Sequence, residues 1–175
     1  ETSPMRLETD RLVLELHAVT DFDALHQMWS DPETVRFLGG KVGSRQDSWM
    51  RLLRYRGLWA LLGYGYWAVH EKVSGRFVGE LGFADFHRPT EPSFEGIPEA
   101  GWVLAPWARG KGYATEALSA ALGWLDGAGH PRSVCIIDPA NAASLALAQK
   151  VGFGAPKTVH FGSEAITLFE RVVGQ

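Results

Sequence analysis

The sequence contains one cysteine, no long apolar run and no concentration of basic residues, and each absence excludes a class of protein. Cys135 alone cannot form an internal disulfide or a cysteine zinc site. The six histidines are scattered, without a pair at i and i+4, so we expect no metal. No apolar run approaches the roughly 20 residues that span a bilayer, and residues 1–8 are polar, without a secretory apolar region. We therefore expect a cytoplasmic protein with no membrane partner.

Charge is balanced along the chain. The 17 Lys and Arg oppose 20 Asp and Glu, and the net charge is −3 at pH 7, so the sequence gives no sign of a nucleic-acid partner. What is abundant is apolar: hydrophobic residues make up 46% of the 175 residues, which is too apolar for disorder. This length and composition predict one domain, residues 1–175, with a substantial core.

Hydrophobic periodicity predicts the order of helices and strands. Strands are predicted at residues 11–16, 64–71, 76–86, 99–104, 132–137, 153–161 and 165–172. Helices are predicted after Thr20-Asp21, from Ser44, over 114–125 and from Asn141 to Gly152, and residues 87–98 are predicted to be an exposed loop. This order indicates an α/β domain with a mostly antiparallel central sheet.

A glycine-rich turn, RGKG at residues 109–112, stands directly before the apolar helical stripe of residues 114–125. Unpaired N–H groups and the positive end of the dipole at a helix N-terminus bind anions, and Gly110 and Gly112 allow close backbone approach. Phosphate is the natural ligand. The alternative is an ordinary strand-to-helix turn with solvated cations.

Two nucleotide-binding patterns fail at this turn. A P-loop needs glycine where Ala105 stands and Ser or Thr where Gly112 stands. A dinucleotide fingerprint needs a small residue at Thr115 and an earlier carboxylate than Asp138. A nucleotide-binding enzyme is therefore the weakest of the functional classes that this turn permits.

Three segments together resemble the GNAT superfamily of acetyltransferases. RGKGYA at residues 109–114 resembles the family motif Arg/Gln-x-x-Gly-x-Gly/Ala, and NAAS at residues 141–144, with VGF downstream, is similar to the second family motif. TDRL at residues 9–12, with SDPE at 30–33 and RFLG at 36–39, is similar to the N-terminal signature of the RimJ/RimL branch, which acetylates protein N-termini, notably of ribosomal proteins. The resemblance implies a GNAT-type α/β (α+β) fold, a mixed, mostly antiparallel sheet of six to seven strands flanked by about four helices.

The resemblance also implies acetyl-CoA as cosubstrate and assigns residues to it. The pyrophosphate would bind the backbone amides of the motif loop, which are those of Arg109, Gly110, Lys111, Gly112, Tyr113 and Ala114. The pantetheine arm would pair with the strand Trp102, Val103 and Leu104 and contact Asn141, and the Val103 N–H would lie near the thioester oxygen. Asn141 is also a good helix N-cap whatever else it does.

Acetyl transfer needs a base and an acid, and the resemblance suggests one residue for each. Glu99 occupies the position of the catalytic glutamate of many GNAT enzymes, with Glu80 and Asp85 as substitutes if Glu99 points away. The usual tyrosine acid is replaced by Ala148, a departure from the family, and Ser144 takes the place of a serine that can assume that role. A catalytically inactive acyl-CoA sensor of the same fold is therefore an alternative.

The acceptor would be a primary amine, either a protein N-terminus or a small molecule, and a homodimer is a possible assembly. The acceptor is expected to enter between the early helices and the loop 87–98, where Glu91 and Glu95 would attract a cation or be solvated. Aromatic residues that would line this entrance or lie in the core are Trp29, Phe37, Trp49, Tyr55 and Trp59.

Overall fold

The computed structural model describes residues 5–174. Residues 1–4 and 175 of the predicted domain, residues 1–175, lie outside this description. Residues 1–4 are part of the polar N-terminal stretch noted above. The helices are α1 (Phe22–Trp29), α2 (Pro32–Val35), α3 (Arg45–Leu62), α4 (Tyr113–Gly127) and α5 (Ala142–Lys150). The strands are β1 (Leu7–Glu8), β2 (Leu12–Glu15), β3 (Tyr66–Glu71), β4 (Phe77–Ala84), β5 (Thr90–Glu91), β6 (Glu99–Leu104), β7 (Arg132–Ile136), β8 (Gly154–Phe161) and β9 (Glu164–Val172).

One sheet contains all nine of these strands, in the order β1-β2-β3-β4-β6-β7-β9-β8-β5. Only the β6–β7 pair is parallel among the described residues, so the predicted mixed, mostly antiparallel α/β architecture is confirmed. The sheet is larger than the six to seven strands expected. The two additional strands, β1 and β5, have two residues each, which is too short for a period-2 signal in the sequence.

Five helices flank the sheet where about four were expected, because Asp31-Pro32 begins a new turn as well as ending α1. The Asp31 carboxylate accepts from the Thr34 amide at 3.0 Å, and Pro32 occupies the first helical position, where its missing N–H costs nothing. Ser44 caps α3 as predicted: its hydroxyl accepts from the Asp47 amide, and the Asp47 carboxylate accepts from the Ser44 amide, each at 3.0 Å.

The segment 87–98 is more ordered than the exposed loop expected from its prolines. Thr90–Glu91 pairs with β8, and Phe94 is buried in a small cluster with Val159 and Leu168. The carboxylate of Asp85 accepts from the amides of His87 and Gly96 at 3.1 and 2.8 Å, so this residue shapes the segment. The burial of an apolar side chain such as Phe94 stabilises one conformation of the segment, although most of its other residues are polar.

The two faces of the sheet carry separate cores, and this separation places the side chains of β6. Helices α4 and α5 cover one face, where Trp102 and Leu104 pack, while α1 and α3 cover the other, where Val103 packs. Because side chains alternate along a strand, Glu99 and Gly101 share the face of Val103. The side chains of consecutive β6 residues therefore pack on opposite faces of the sheet.

The N-terminal TDRL segment anchors the first turn of α4. The Glu116 carboxylate accepts from the Thr9 hydroxyl at 2.5 Å, the Arg11 amide at 2.9 Å and the Arg11 guanidinium at 2.8 Å. Burial alone would raise the pKa of Glu116, but these donors outweigh it and leave that pKa lowered. A carboxylate in the first turn also stabilises the helix dipole.

Candidate active site

The parallel strands β6 and β7 are joined at only one point in the described chain. Glu99 pairs with Val134, and the Val134 N–H donates to the Pro98 carbonyl at 2.9 Å. Beyond this pair the strands diverge, and a cleft of about 950 Å³ lies between residues 101–103 of β6 and residues 136–138 at the end of β7. A sheet that opens in this way leaves unpaired peptide groups along its inner edge.

The register of β6 on β4 decides which peptide groups face this cleft. The Ala105 N–H donates to the Val78 carbonyl at 2.8 Å, so the Val103–Glu80 pair two residues away is also a hydrogen-bonded pair. The Val103 amide therefore points into the sheet, and the expectation that it lies near a ligand's thioester is corrected. The peptide groups of Trp102 and Leu104 point the other way, away from β4 and towards the open seam between β6 and β7.

The glycine-rich turn leads from β6 to α4 with its backbone amides free. Gly110 and Gly112 have φ of 75° and 80°, a left-handed conformation that costs other residues roughly 1–2 kcal/mol. Within residues 5–174, the amides of 110–115 have no backbone acceptor, and the first that does is Glu116, which donates to the Gly112 carbonyl at 3.2 Å. Six adjacent donors at a helix N-terminus form an anion-binding surface.

The larger side chains of this turn are already bound to the protein. The Arg109 guanidinium donates to the Thr34 hydroxyl at 2.9 Å and lies 3.4 Å from the Leu104 carbonyl. The Tyr113 hydroxyl donates to the Glu71 carboxylate, which lowers the pKa of Glu71 and raises the pKa of Tyr113. The side chain of Lys111 remains exposed to solvent. The free backbone amides are therefore the main hydrogen-bond donors available to an anion here, because the Arg109 guanidinium is already bound.

Across the cleft from β6, the first turn of α5 carries the Asn141–Ser144 pair. The Asn141 side chain accepts from the Ser144 amide at 3.2 Å, which confirms the predicted helix start at Asn141. The Ser144 hydroxyl accepts from the Trp102 indole N–H at 3.1 Å, so one hydrogen bond spans from β6 to α5. Ala148, at the position of the usual tyrosine, is 2% exposed and belongs to the core.

On the opposite face, Glu99 is held by an arginine that the sequence analysis did not identify. The Arg88 guanidinium donates to both carboxylate oxygens, at 2.7 and 3.0 Å, and Glu99 is 7% exposed. This hydrogen-bonded ion pair raises the pKa of Arg88, which stays charged. Each oxygen of Glu99 retains a further lone pair with which it can accept a proton or a water.

Glu80 lies deeper than Glu99 and is 0% exposed. Its Oε1 is 3.4 Å from the Trp29 indole nitrogen and 3.9 Å from His17, and its Oε2 has no hydrogen-bond partner among the described residues. It does not line the cleft, and neither does Asp85. Of the three carboxylates suggested by the sequence, only Glu99 reaches the cleft.

Three of the five aromatic residues suggested for the entrance line the cleft: Trp29, Phe37 and Tyr55. Trp49 packs against Phe22 instead, and Trp59 lies in the core and donates to the Tyr66 carbonyl at 2.8 Å. Glu91 and Glu95 are exposed and do not line the cleft.

The lining contains four functional groups that the sequence analysis missed, those of Arg51, Arg54, Tyr66 and Arg88. Burial, and then the charges of Glu99 and Glu80, raise the pKa of Tyr66, so its hydroxyl stays protonated. Arg51, Arg54 and Tyr55 have i, i+3, i+4 spacing on α3, a signal that places them on one helix face.

The sequence matches the Acetyltransferase (GNAT) domain family over residues 11–154. The chain belongs to this family. A structure named as a GNAT-family acetyltransferase from Bordetella pertussis is 34% identical, with a TM-score of 0.82, and the match covers 96% of this chain and 99% of that one. The uncharacterized protein YkkB of Bacillus subtilis (strain 168) is 28% identical over 171 residues, 95% of each chain.

A more distant GNAT structure, RimL, a ribosomal L7/L12 α-N-protein acetyltransferase in complex with coenzyme A, is 17% identical with a TM-score of 0.73. The match covers 94% of this chain and 96% of that one, and at this identity it shows the GNAT fold alone. It therefore leaves the RimJ/RimL branch a prediction.

No group of three or more metal-ligating side chains occurs within residues 5–174. In the same part of the chain, every helix is too short or too polar to cross a bilayer.

Proposed function

We propose that this GNAT domain transfers the acetyl group of acetyl-CoA to a primary amine by direct attack in a ternary complex. The observation that carries the proposal is the continuity between the free amides of residues 110–115 and the open edge of β6. An anionic pyrophosphate on the first and an extended amide-containing arm on the second match the two ends of coenzyme A. A distant neighbour, RimL, is described in complex with coenzyme A, which supports this choice.

The coenzyme would lie along the cleft as an additional strand. Its pyrophosphate would accept from the amides of Gly110, Lys111, Gly112, Tyr113 and Ala114, with Lys111 supplying a favourable field. The Arg109 amide, also predicted for this role, donates instead to the Pro106 carbonyl at 3.4 Å. The pantetheine amides would pair with the Trp102 carbonyl and the Leu104 peptide group, which point away from β4 towards the open seam. Asn141, on the facing wall, would contact the same arm.

The tetrahedral intermediate needs a hydrogen-bond donor for its oxyanion. Since the Val103 amide points into the sheet, we assign this role to the Trp102 amide, the next peptide group towards Glu99 that points into the cleft. Val103 contributes its side chain to the cleft wall. The correction moves the donor by one residue and leaves the coenzyme on the same strand.

The base and the proton source would then lie on opposite faces of β6. Glu99 is on the face of α3, where it would accept the proton of the attacking amine directly or through water. Ser144 lies on the other face, where its hydroxyl accepts from the Trp102 indole N–H. There the hydroxyl would hydrogen-bond the departing sulfur or relay a proton to it through water. The open seam between β6 and β7 lets both faces reach one thioester.

Acetyl-CoA binding and turnover test the proposal in two steps. Acetyl-CoA at about 100 times its Kd should add roughly 2.7 kcal/mol of stability in a thermal shift assay, whereas ATP and NAD should add nothing. Release of free thiol should then accompany acetylation of at least one amine in a panel of N-terminal peptides, polyamines and amino acids. Binding without turnover on the whole panel would favour the sensor alternative, and absence of binding would refute the proposal.

Two substitutions test the assigned roles. Glu99→Gln and Ser144→Ala should each lower kcat by about tenfold or more while leaving the Kd of acetyl-CoA nearly unchanged. Matched controls are Glu95→Gln and Ser119→Ala, since both side chains are exposed outside the cleft. Wild-type kcat in Glu99→Gln and Ser144→Ala would remove both residues from the mechanism.

A further inference from the structure

The α3 wall of the cleft carries two guanidinium groups that have no carboxylate partner. Arg51 lies over the Trp29 ring, with Cζ 3.5 Å from the centroid, and donates to the Tyr55 hydroxyl at 3.4 Å. Arg54 has its Cζ 5.9 Å from the Phe86 ring centroid. Within residues 5–174 neither has a carboxylate oxygen within 4.0 Å. Both guanidiniums therefore line the cleft without an ion-pair partner.

The carboxylates of the lining form no ion pair with these two guanidiniums, and each lies elsewhere in the cleft. Glu99 is bound by both arms of Arg88. Asp138 accepts from the Ala140 amide at 2.8 Å, beyond β7. Glu164 begins β9 and is exposed on the other wall. The α3 wall is therefore positive, although the lining as a whole contains as many carboxylates as arginines.

A positive wall disfavours a polycationic acceptor and favours one that carries an anion. An ammonium group near two guanidiniums is repelled, whereas a carboxylate or phosphate accepts bidentate hydrogen bonds from the planar guanidinium. Arg51 is already ordered by its contacts with Trp29 and Tyr55, so less conformational entropy is lost when it binds an anion.

There is also room for such a group beside the arginines. A second cavity of about 290 Å³ adjoins the cleft and shares Trp29, Leu38, Arg51 and Arg54 with it. Lys41 lines this second cavity and adds a third cation. Asp47 supplies the carboxylate of the cavity lining. The Asp47 carboxylate accepts from the Ser44 amide at 3.0 Å in the helix cap, and its charge interacts with those of Lys41 and Arg51. Three cationic side chains against this one carboxylate leave the lining of the second cavity positive.

We propose that the acceptor is an amine that also carries an oxyanion, a carboxylate or a phosphate, and that Arg51 and Arg54 bind this oxyanion. The proposal rests on the proposed acetyl transfer and names its substrate class. It replaces the expectation of a cationic acceptor drawn to Glu91 and Glu95, which lie outside the cleft. Nearby positive charge also favours the neutral form of the bound amine, which is the nucleophilic form.

The experiment uses two matched pairs of amines and one charge series at position 54. Thiol release is measured with phenylalanine against 2-phenylethylamine, and with phosphoethanolamine against ethanolamine, with spermidine as the polycation. The pairs separate a carboxylate from a phosphate as the source of the oxyanion. The variants are Arg54→Gln and Arg54→Glu, and the control is Arg45→Gln, at an exposed residue of α3 that pairs with Asp23 outside the cleft.

We expect kcat/KM to be higher for the anionic member of at least one pair. Arg54→Gln should lower kcat/KM for that anionic amine by about tenfold to hundredfold. Arg54→Glu should shift the preference towards spermidine, and Arg45→Gln should behave as wild type. A preference for ethanolamine, 2-phenylethylamine or spermidine that position 54 does not alter would overturn the proposal.

A binding measurement separates failure of this proposal from failure of acetyl transfer. Benzoate and inorganic phosphate are titrated into CoA-saturated protein, in which the coenzyme would occupy the pyrophosphate site, and into free protein if CoA does not bind. Binding weakened about tenfold or more in Arg54→Gln, but not in Arg45→Gln, supports the anion site even without turnover. Absence of binding by both anions, or equal binding by the variant, overturns it. Failure of acetyl-CoA to bind counts against the proposed function alone.

Discussion

Replacing Gly101 by alanine would test how tightly the α3 face of the cleft is packed. A Cβ built on Gly101 lies inside the contact radius of the Tyr66 hydroxyl and 3.1 Å from the ring carbon Cζ. Tyr66 cannot retreat easily, because its ring stacks on Tyr55 at 4.6 Å and Tyr55 in turn contacts the His17 ring at 4.7 Å. Overpacking of this kind costs about 1–3 kcal/mol. For a protein of this size, each kcal/mol lowers Tm by roughly 2–4 °C.

The free energy of unfolding from urea titrations measures the effect, and a double-mutant cycle attributes it. Tyr66→Phe removes the hydroxyl that meets the new methyl group, so Gly101→Ala should cost less in the Tyr66→Phe background by about 1 kcal/mol or more. Gly57→Ala is the matched control: its Cβ finds open space in the middle of α3, and it should stabilise by about 0.5–1 kcal/mol. A Gly101→Ala protein as stable as wild type, or a strictly additive cycle, would refute the reasoning.

Two further predictions concern titratable groups. Because the pKa of Glu116 is lowered on folding, its interactions stabilise the protein above about pH 4.3, the unfolded value, and this stabilisation is lost as pH falls through the folded pKa. Urea titrations from pH 7 to pH 3 should show the stability difference between wild type and Glu116→Gln shrinking in acid, and a constant difference would contradict this. Burial raises the pKa of Cys135 to about 12, and the residue is 1% exposed. A disulfide reagent at pH 8 should label it only after denaturation, so the protein's own thiol will not contribute to thiol-release assays, whereas rapid native labelling would refute its burial.

The parts of the site that follow local rules could be predicted from the sequence. The Asn141 cap depends on groups within three residues, and Gly110 and Gly112 have the left-handed φ that a tight turn requires. Long-range pairings could not be predicted. Arg88 follows β4 by four residues and binds Glu99 because Ala84 of β4 pairs with Glu99 of β6, and nothing in the local spacing indicates that register.

The error at Val103 has a different physical origin. Alternation along β6 was visible in the sequence, but which peptide groups face the cleft depends on the register with β4, and a shift of one residue exchanges the two sets. Strand pairing fixes that register through contacts far apart in the chain. Residue type and spacing alone therefore identify the strand but not the donor.

The single β6–β7 pair makes the nine strands two hydrogen-bonded ladders that meet at one bridge. Helix α4 connects them, and its Asp126 binds Arg171 of β9 through two hydrogen bonds of 2.9 Å. Such a seam should open at lower free energy than either ladder unfolds, so native-state hydrogen exchange should resolve two cooperative units. A ligand lying along the seam would hold these two units together, so its protection of amides should extend beyond the cleft to the distant parts of β7 and β9.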